Sequence, residues 1–280
     1  MTLGQLQLKA NEIRMDVIKM LLAAKSGHSA GSLGMAEVFT ALYFEIINHD
    51  PQNPDWQDRD RLFLSNGHIA SVRYATMAQA GYFPKSKLKT LRKLGSPLQG
   101  HPERTKLQGS ETTSGPLGSG LAQAAGYAYA AKMDDKRFRV YCICSDGEHD
   151  EGNHWEAVMF AAKYKLSNLT AFLDRNNIQI SGYTQDVMPL EPLIDKYKAF
   201  NWHTLVIDGH DIEEITNAVG QAKAIYEKPT MIIAQTTPGK GVSFMENLPE
   251  WHGKPPNEEQ AKQALSELRA LSAKIRSEHE

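Results

Sequence analysis

The chain has 280 residues, enough for one full core or at most two domains, and a formal charge of −2. Its lysines and arginines are scattered without a basic stripe, which excludes nucleic acid as the expected partner. No apolar run approaches the roughly 18 residues of a membrane helix, and the start Met1-Thr2-Leu3-Gly4-Gln5 lacks the charged and apolar regions of a signal peptide, so a cytoplasmic location is expected.

Leu6, Ala10, Ile13, Val17, Leu21 and Ala24 repeat with the helical period, and Gly27 ends that first helix. Met35 to Ile47 reads as a second helix. Arg61 to Leu64 reads as a short strand, Ile69 to Ala80 as a helix, and Lys85 to Leu94 as a shorter basic one. Gly95 to Ser119 is a long loop rich in Gly, Ser, Thr and Pro, a length that is often functional. Leu121 to Lys132 is an Ala-rich helix suited to close packing. Strands at Val140–Cys144, Leu169–Leu173, Leu205–Ile207 and Met231–Ala234 then alternate with helices near Glu151–Lys163, Leu190–Ala199 and Ile212–Tyr226. Asp211 and Glu214 form the pattern of a capping box. A last helix, Glu258 to Ile275, follows Pro255-Pro256 and is capped by Asn257.

Alternating elements with continuous apolar strands predict an α/β fold: a doubly wound, mostly parallel sheet with helices on both faces. No internal repeat or interdomain linker interrupts residues 1–280, so one domain is expected, ending in a helix at about 257–276. Cys142 and Cys144 point to the same face of one strand, at a spacing near the limit for a disulfide. They are expected to be buried thiols, consistent with a reducing compartment.

In such sheets ligands bind beyond the carboxyl ends of the strands. Ser65–His68, Asp146–Glu151, Asn176–Ile178 and Thr236–Gly241 should meet there. Asp146-Gly147 ends one strand and Asn176 ends the next, with 28 residues between Gly147 and Asn176. A carboxylate and an amide carbonyl are hard oxygen ligands, suited to magnesium or calcium. Gly147 lets backbone approach a phosphate, and the N-terminus of the helix after Glu151 favours anions. An Asp-Gly pair by itself is also a common turn. Four histidines adjoin glycine in loops: His28, His68, His101 and His252. Singly, each reads as a surface histidine; together they suit a hydroxyl-rich substrate and proton transfer near neutrality.

Asp-Gly followed at this distance by Asn resembles the metal-diphosphate motif of thiamine-diphosphate enzymes. From about Lys9 to about Pro256 the chain resembles the N-terminal, diphosphate-binding region of transketolases. The resemblance rests on Ser26-Gly27-His28, Ser65-Asn66-Gly67-His68, Gly100-His101-Pro102-Glu103, Thr113 to Gly118, Asp146-Gly147-Glu148, Glu151-Gly152, Trp155-Glu156-Ala157, Asp208 to Asp211 and Trp251-His252-Gly253.

The resemblance implies thiamine diphosphate with magnesium, or calcium, as cofactors. It implies metal ligation by Asp146, by the Asn176 side chain and by the Ile178 carbonyl. His28 and His252 would contact the reacting part of the sugar; His68 and His101 would serve the diphosphate region and the donor's terminal hydroxyl. Gly115, Pro116 and Leu117 would lie along the aminopyrimidine, and Glu151 would organise the site across subunits. Ser145 stands where many thiamine enzymes have glycine. Lys240 is read as either a phosphate contact or a solvated lysine. His49, His149, His154, His203, His210 and His279 receive no assignment and are expected at solvated or helix-end positions.

The family's activating glutamate lies in a separate pyrimidine-binding domain, for which the chain has no matching segment. The resemblance therefore implies one half of a split transketolase. It would act on sugar phosphates together with a C-terminal subunit, and would pair with its own copy in an α2β2 complex. The rival readings are one half of a related ketol transferase or 2-oxoacid decarboxylase, and a non-catalytic thiamine-diphosphate-binding module.

Overall fold

The structure is a computed structural model describing residues 1–180 and 182–279. Helix α1 (Leu3–Ala24) begins at a capping box in which Thr2 and Gln5 bond each other's backbone, and Lys25 in the left-handed region ends it. The next helical stretch starts five residues earlier than the periodicity suggests: α2 (Ala30–Gly34) and α3 (Ala36–Ala41) run into a π turn at Leu42–Ile46, closed by Ile47 N–H to the Leu42 carbonyl at 2.9 Å. Strand β1 (Arg61–Leu64) leads to α4 (Ala70–Ala80). The basic segment expected as a helix to Leu94 is only a 3-10 stretch, Lys85–Thr90, with Leu88 its one buried side chain. A single apolar anchor gives a longer helix no face to bury.

Helix α5 (Ser119–Met133), β2 (Val140–Ser145), α6 (Gly152–Lys163) and β3 (Leu169–Arg175) follow as the pattern predicts. A short hairpin, β4 (Ile178–Gln179) with β5 (Gly182–Tyr183), and the turn α7 (Thr184–Val187) had no period long enough to read. Helix α8 (Leu193–Ala199) starts only after Pro192, which cannot supply a helical N–H. Strand β6 (His203–Asp208), α9 (Ile212–Lys223), β7 (Thr230–Gln235) and α10 (Glu258–His279) complete the chain. The capping box at α9 is half formed: Asp211 caps Glu213 and Glu214, but the Glu214 carboxylate accepts from Asp208 N instead. Asn257 does form a reciprocal box, with Gln260, at 2.9 and 3.0 Å.

The five strands pair in parallel in the order β1-β2-β3-β7-β6. Alternate residues face opposite layers. Tyr141, Ile143, Phe172 and Ile232 pack with the buried faces of α1, α3, α4, α9 and α10. Cys142, Cys144, Ala171, Leu173 and Ile233 pack with α5, α6 and α8 on the other face. Both cysteines are buried free thiols with sulfurs 3.8 Å apart. Among the described residues no helix is long and apolar enough to cross a membrane.

Candidate active site

The register sets the site. Ser145 pairs with Asp174, and Asp174 with Ala234, so three neighbouring strands end at one level. Asp146 follows β2 and is fully buried. Its Oδ2 accepts from Arg175 Nη1 at 3.1 Å and from Asn177 N at 2.6 Å, while its Oδ1 has no partner among the described residues. Burial pushes this carboxyl up to about 7, against the pull of Arg175. Asn176 is held on both sides: Nδ2 donates to Asp174 at 2.9 Å, and Oδ1 accepts from Ile178 N at 2.9 Å. Asn177 adopts a left-handed φ of 62°, which turns the chain into the hairpin carrying Ile178. An unpaired buried carboxylate oxygen is costly unless something occupies it. With the Asn176 amide oxygen oriented at the end of the neighbouring strand, it suits a hard divalent cation.

The loops fold the four glycine-flanked histidines into one cluster. The His28 ring centroid lies 5.1 Å from His68, 5.4 Å from His252 and 6.4 Å from His101, and His68 lies 5.0 Å from His252. Ser29 Oγ donates to the Lys254 carbonyl at 2.6 Å, which ties the His28 loop to the His252 segment. Ser114 N donates to the Pro102 carbonyl at 3.0 Å, which brings the long loop beside His101. A Cβ on Gly67 would stand 2.6 Å from Ser114 Cβ, so that approach requires glycine. Burial lowers all four histidines: His28 to about 4, His68 well below its usual range, and His101 and His252 in the same direction. They are neutral at pH 7, each with one donor and one acceptor for a hydroxyl-bearing ligand. His28 Nδ1 and both side-chain atoms of Asn66 are buried without partners among the described residues.

Gly115 is exposed, with φ +156° and open space where a Cβ would stand, followed by exposed Pro116 and half-buried Leu117. Gly118 caps α5 in the left-handed region and donates to buried Glu148 at 3.4 Å. Gly147 opens a 3-10 turn, Gly147–Asp150, directly after Asp146, and exposed Glu151 is the N-cap residue of α6. Lys240 lines a surface cavity with Asp208, His210 and Glu214 beyond β6.

Sequence reasoning missed Arg175 and Arg92. Arg175 sits between Asp146, Thr184 and Glu191. Arg92, in a left-handed turn, donates to Ser26 at 2.8 Å, and its charge helps to lower His28 and His101. A lone arginine in a polar segment carries no periodic or motif signal. Of the histidines expected at solvated or helix-end positions, four are engaged in packing or hydrogen bonds and not solvated, although His149, His154 and His210 do stand at helix ends. His210 bridges Glu37 at 3.1 Å and the Thr237 N–H at 2.7 Å. His49 stacks on Tyr82, and His149 and His154 are buried around Tyr197.

A parallel sheet whose carboxyl edge gathers Asp146, Asn176 and a histidine cluster defines the diphosphate-binding class of thiamine enzymes. The family profile "Transketolase, thiamine diphosphate binding domain" matches residues 6–273, and the chain belongs to this family. It is similar to a 6-deoxy-6-sulfo-D-fructose transketolase subunit of Clostridium sp. (strain MSTE9), 46% identical over 94% of this chain and 96% of that one. An apulose-4-phosphate transketolase subunit of Phocaeicola vulgatus is 38% identical over 100% of this chain and 99% of that one. The transketolase of Homo sapiens is 41% identical over 92% of this chain but only 41% of its own length. A solved transketolase from Campylobacter jejuni superposes with a TM-score of 0.90 at 35% identity, covering 98% of this chain and 46% of that one. The chain thus spans nearly all of the subunit relatives and less than half of the full-length ones.

Proposed function

We propose that the chain is the N-terminal subunit of a split transketolase, which moves a two-carbon ketol unit from a ketose phosphate to an aldose phosphate. The observation that carries the reading is the clustering of the four histidines, with His68 just beyond β1, at the same carboxyl edge where Asp146 Oδ1 is unpaired beyond the neighbouring β2. Near-complete coverage of relatives named as transketolase subunits supports the split.

In this reading Asp146, the Asn176 side-chain oxygen and the Ile178 carbonyl would hold magnesium, or calcium, and Gly147 would allow the diphosphate to come close. Gly115, Pro116 and Leu117 line the pyrimidine, and His68 borders the diphosphate. Thiamine diphosphate, when bound, supplies the nucleophilic carbon and the electron sink. His28 and His252 orient the sugar's hydroxyl and carbonyl oxygens and move protons at those oxygens; their neutral state lets each accept as well as donate. His101 holds the donor's terminal hydroxyl. Glu151, exposed at the start of α6, faces the neighbouring subunit.

The activating carboxylate then comes from a C-terminal subunit carrying the pyrimidine-binding domain. Apolar exposure on α5 and α6 supports contact with a second copy: Tyr127 is 39% exposed, Met133 68% and Met159 49%. We place the complex in the cytoplasm, in keeping with its two free thiols. A second reading keeps the reaction and changes the sugar, because both subunit relatives are named for unusual sugars. The test is turnover of xylulose phosphate, sulfofructose and apulose phosphate by the reconstituted pair, with thiamine diphosphate and magnesium. Two-carbon transfer from any of them upholds the reading, and decarboxylation of a 2-oxoacid with no transfer overturns it.

A further inference from the structure

Below the Asp146 turn, on the α6 side of the sheet, lies a second group of ligand-type side chains that the reaction does not use. A sulfur of Cys144, a carboxylate oxygen of Glu148 and a ring nitrogen of His154 all lie within 4.8 Å of one another, and all three residues are buried.

The hydrogen bonds fix the tautomers. His149 Nδ1 lies 2.8 Å from the Ser145 carbonyl, which only accepts, so Nδ1 carries the proton. With the one ring proton on Nδ1, Nε2 is bare and accepts from the Tyr197 hydroxyl at 2.8 Å. Having donated its proton, the Tyr197 oxygen accepts from His154 Nε2 at 2.7 Å. His154 then carries its one ring proton on Nε2. Its Nδ1 is therefore a bare lone pair, buried, without a partner among the described residues. Glu148 Oε1 is buried and makes no hydrogen bond within the usual distance among the described residues, with the Cys144 thiol beside it. Two such acceptors beside a thiol call for a donor or a cation.

We propose that Cys144, Glu148 and His154 bind a zinc-class ion distinct from the metal at the diphosphate, with a water as fourth ligand. Thiol, carboxylate and neutral imidazole are zinc's ligand set. The three ligand atoms would close in by about 1 Å to reach a tetrahedral ion. Binding displaces the Cys144 thiol proton and any proton on Glu148 to solvent, and thiolate plus carboxylate balance the dication. Tyr197 plays the part of the outer partner that orients a metal-bound histidine. Glu148 also accepts from Gly118 N, so the ion would stiffen the loop of Gly115 to Leu117 from beneath.

The full-length chain is produced in medium supplemented with zinc or with cobalt and then dialysed against magnesium buffer. Elemental analysis should find close to one zinc per chain, and the cobalt form should show thiolate-to-cobalt absorption. Asp146→Ala should keep the ion. Cys144→Ser and His154→Gln should lose it, and Tyr197→Phe should weaken it by about 10–100-fold. Wild-type chain with only trace zinc and no cobalt–thiolate band overturns the proposal and leaves an ordered water as the occupant. A band unchanged in both ligand variants overturns it as well. Should the variants fail to fold, the wild-type cobalt spectrum decides alone.

Discussion

Arg175 holds one oxygen of Asp146 at 3.1 Å and leaves the other bare. The same guanidinium reaches Thr184 at 3.2 Å and Glu191 at 3.1 Å, so the segment after β3 is fastened to the carboxylate that the metal would use. Asp146→Ala removes the free oxygen and leaves the Arg175 charge buried. We expect this substitution, and Asn176→Ala, to abolish magnesium-dependent binding of thiamine diphosphate by the reconstituted complex. Calorimetry measures it; unchanged affinity in both variants would move the metal elsewhere.

The sugar-facing histidines should separate rate from cofactor affinity. His28→Ala and His252→Ala should lower turnover by about 10²–10⁴-fold, the usual cost of a lost proton-transfer group, with thiamine diphosphate affinity nearly unchanged. Near-normal turnover in either variant removes that residue from the chemistry.

The chain by itself should be inactive and should gain activity on adding a pyrimidine-domain subunit. Light scattering of the pair is expected to report a heterotetramer, with α5 and α6 near the two-fold axis. Full turnover by the isolated chain, or a fully active one-to-one heterodimer, would contradict this.

Buried groups of opposite sign set the acid response: burial raises the Asp146 and Glu148 carboxyls to about 7, so their protonation favours the native chain as pH falls, while a buried histidine opposes it. Burial lowers His149 from 6.5 to about 4. Between those values the unfolded chain binds the extra proton, so the contribution of this residue to stability falls as pH drops from about 6.5 to 4, by an upper limit of about 3 kcal/mol. Glu37 has a lower window. Burial raises its pKa, but the contacts with Arg14 and His210 outweigh that and hold it at about 2 instead of 4.5, so its contribution is present above 4.5 and lost as pH falls toward 2. Urea midpoints between pH 7.5 and 5 measure the first window. His149→Phe should shift the slope toward greater stability in acid whatever it does to absolute stability; an unchanged slope would assign the effect to other groups.

The apolar periods of α1 and α9, the strand runs at Val140 and Leu169, and the spacing of Asp146 and Asn176 were legible in the sequence, because burial on a regular element imposes a local repeat. Local chemistry also marked the four histidines as a set, since each sits beside a glycine. Their assembly into one cluster required the sheet order and the Ser29–Lys254 tie, which join residues 225 positions apart. Arg175, Arg92 and the His149–Tyr197–His154 chain were invisible for the same reason. A buried polar side chain is tolerated only where distant partners satisfy it, and those partners are set by tertiary packing, which no single window of sequence records.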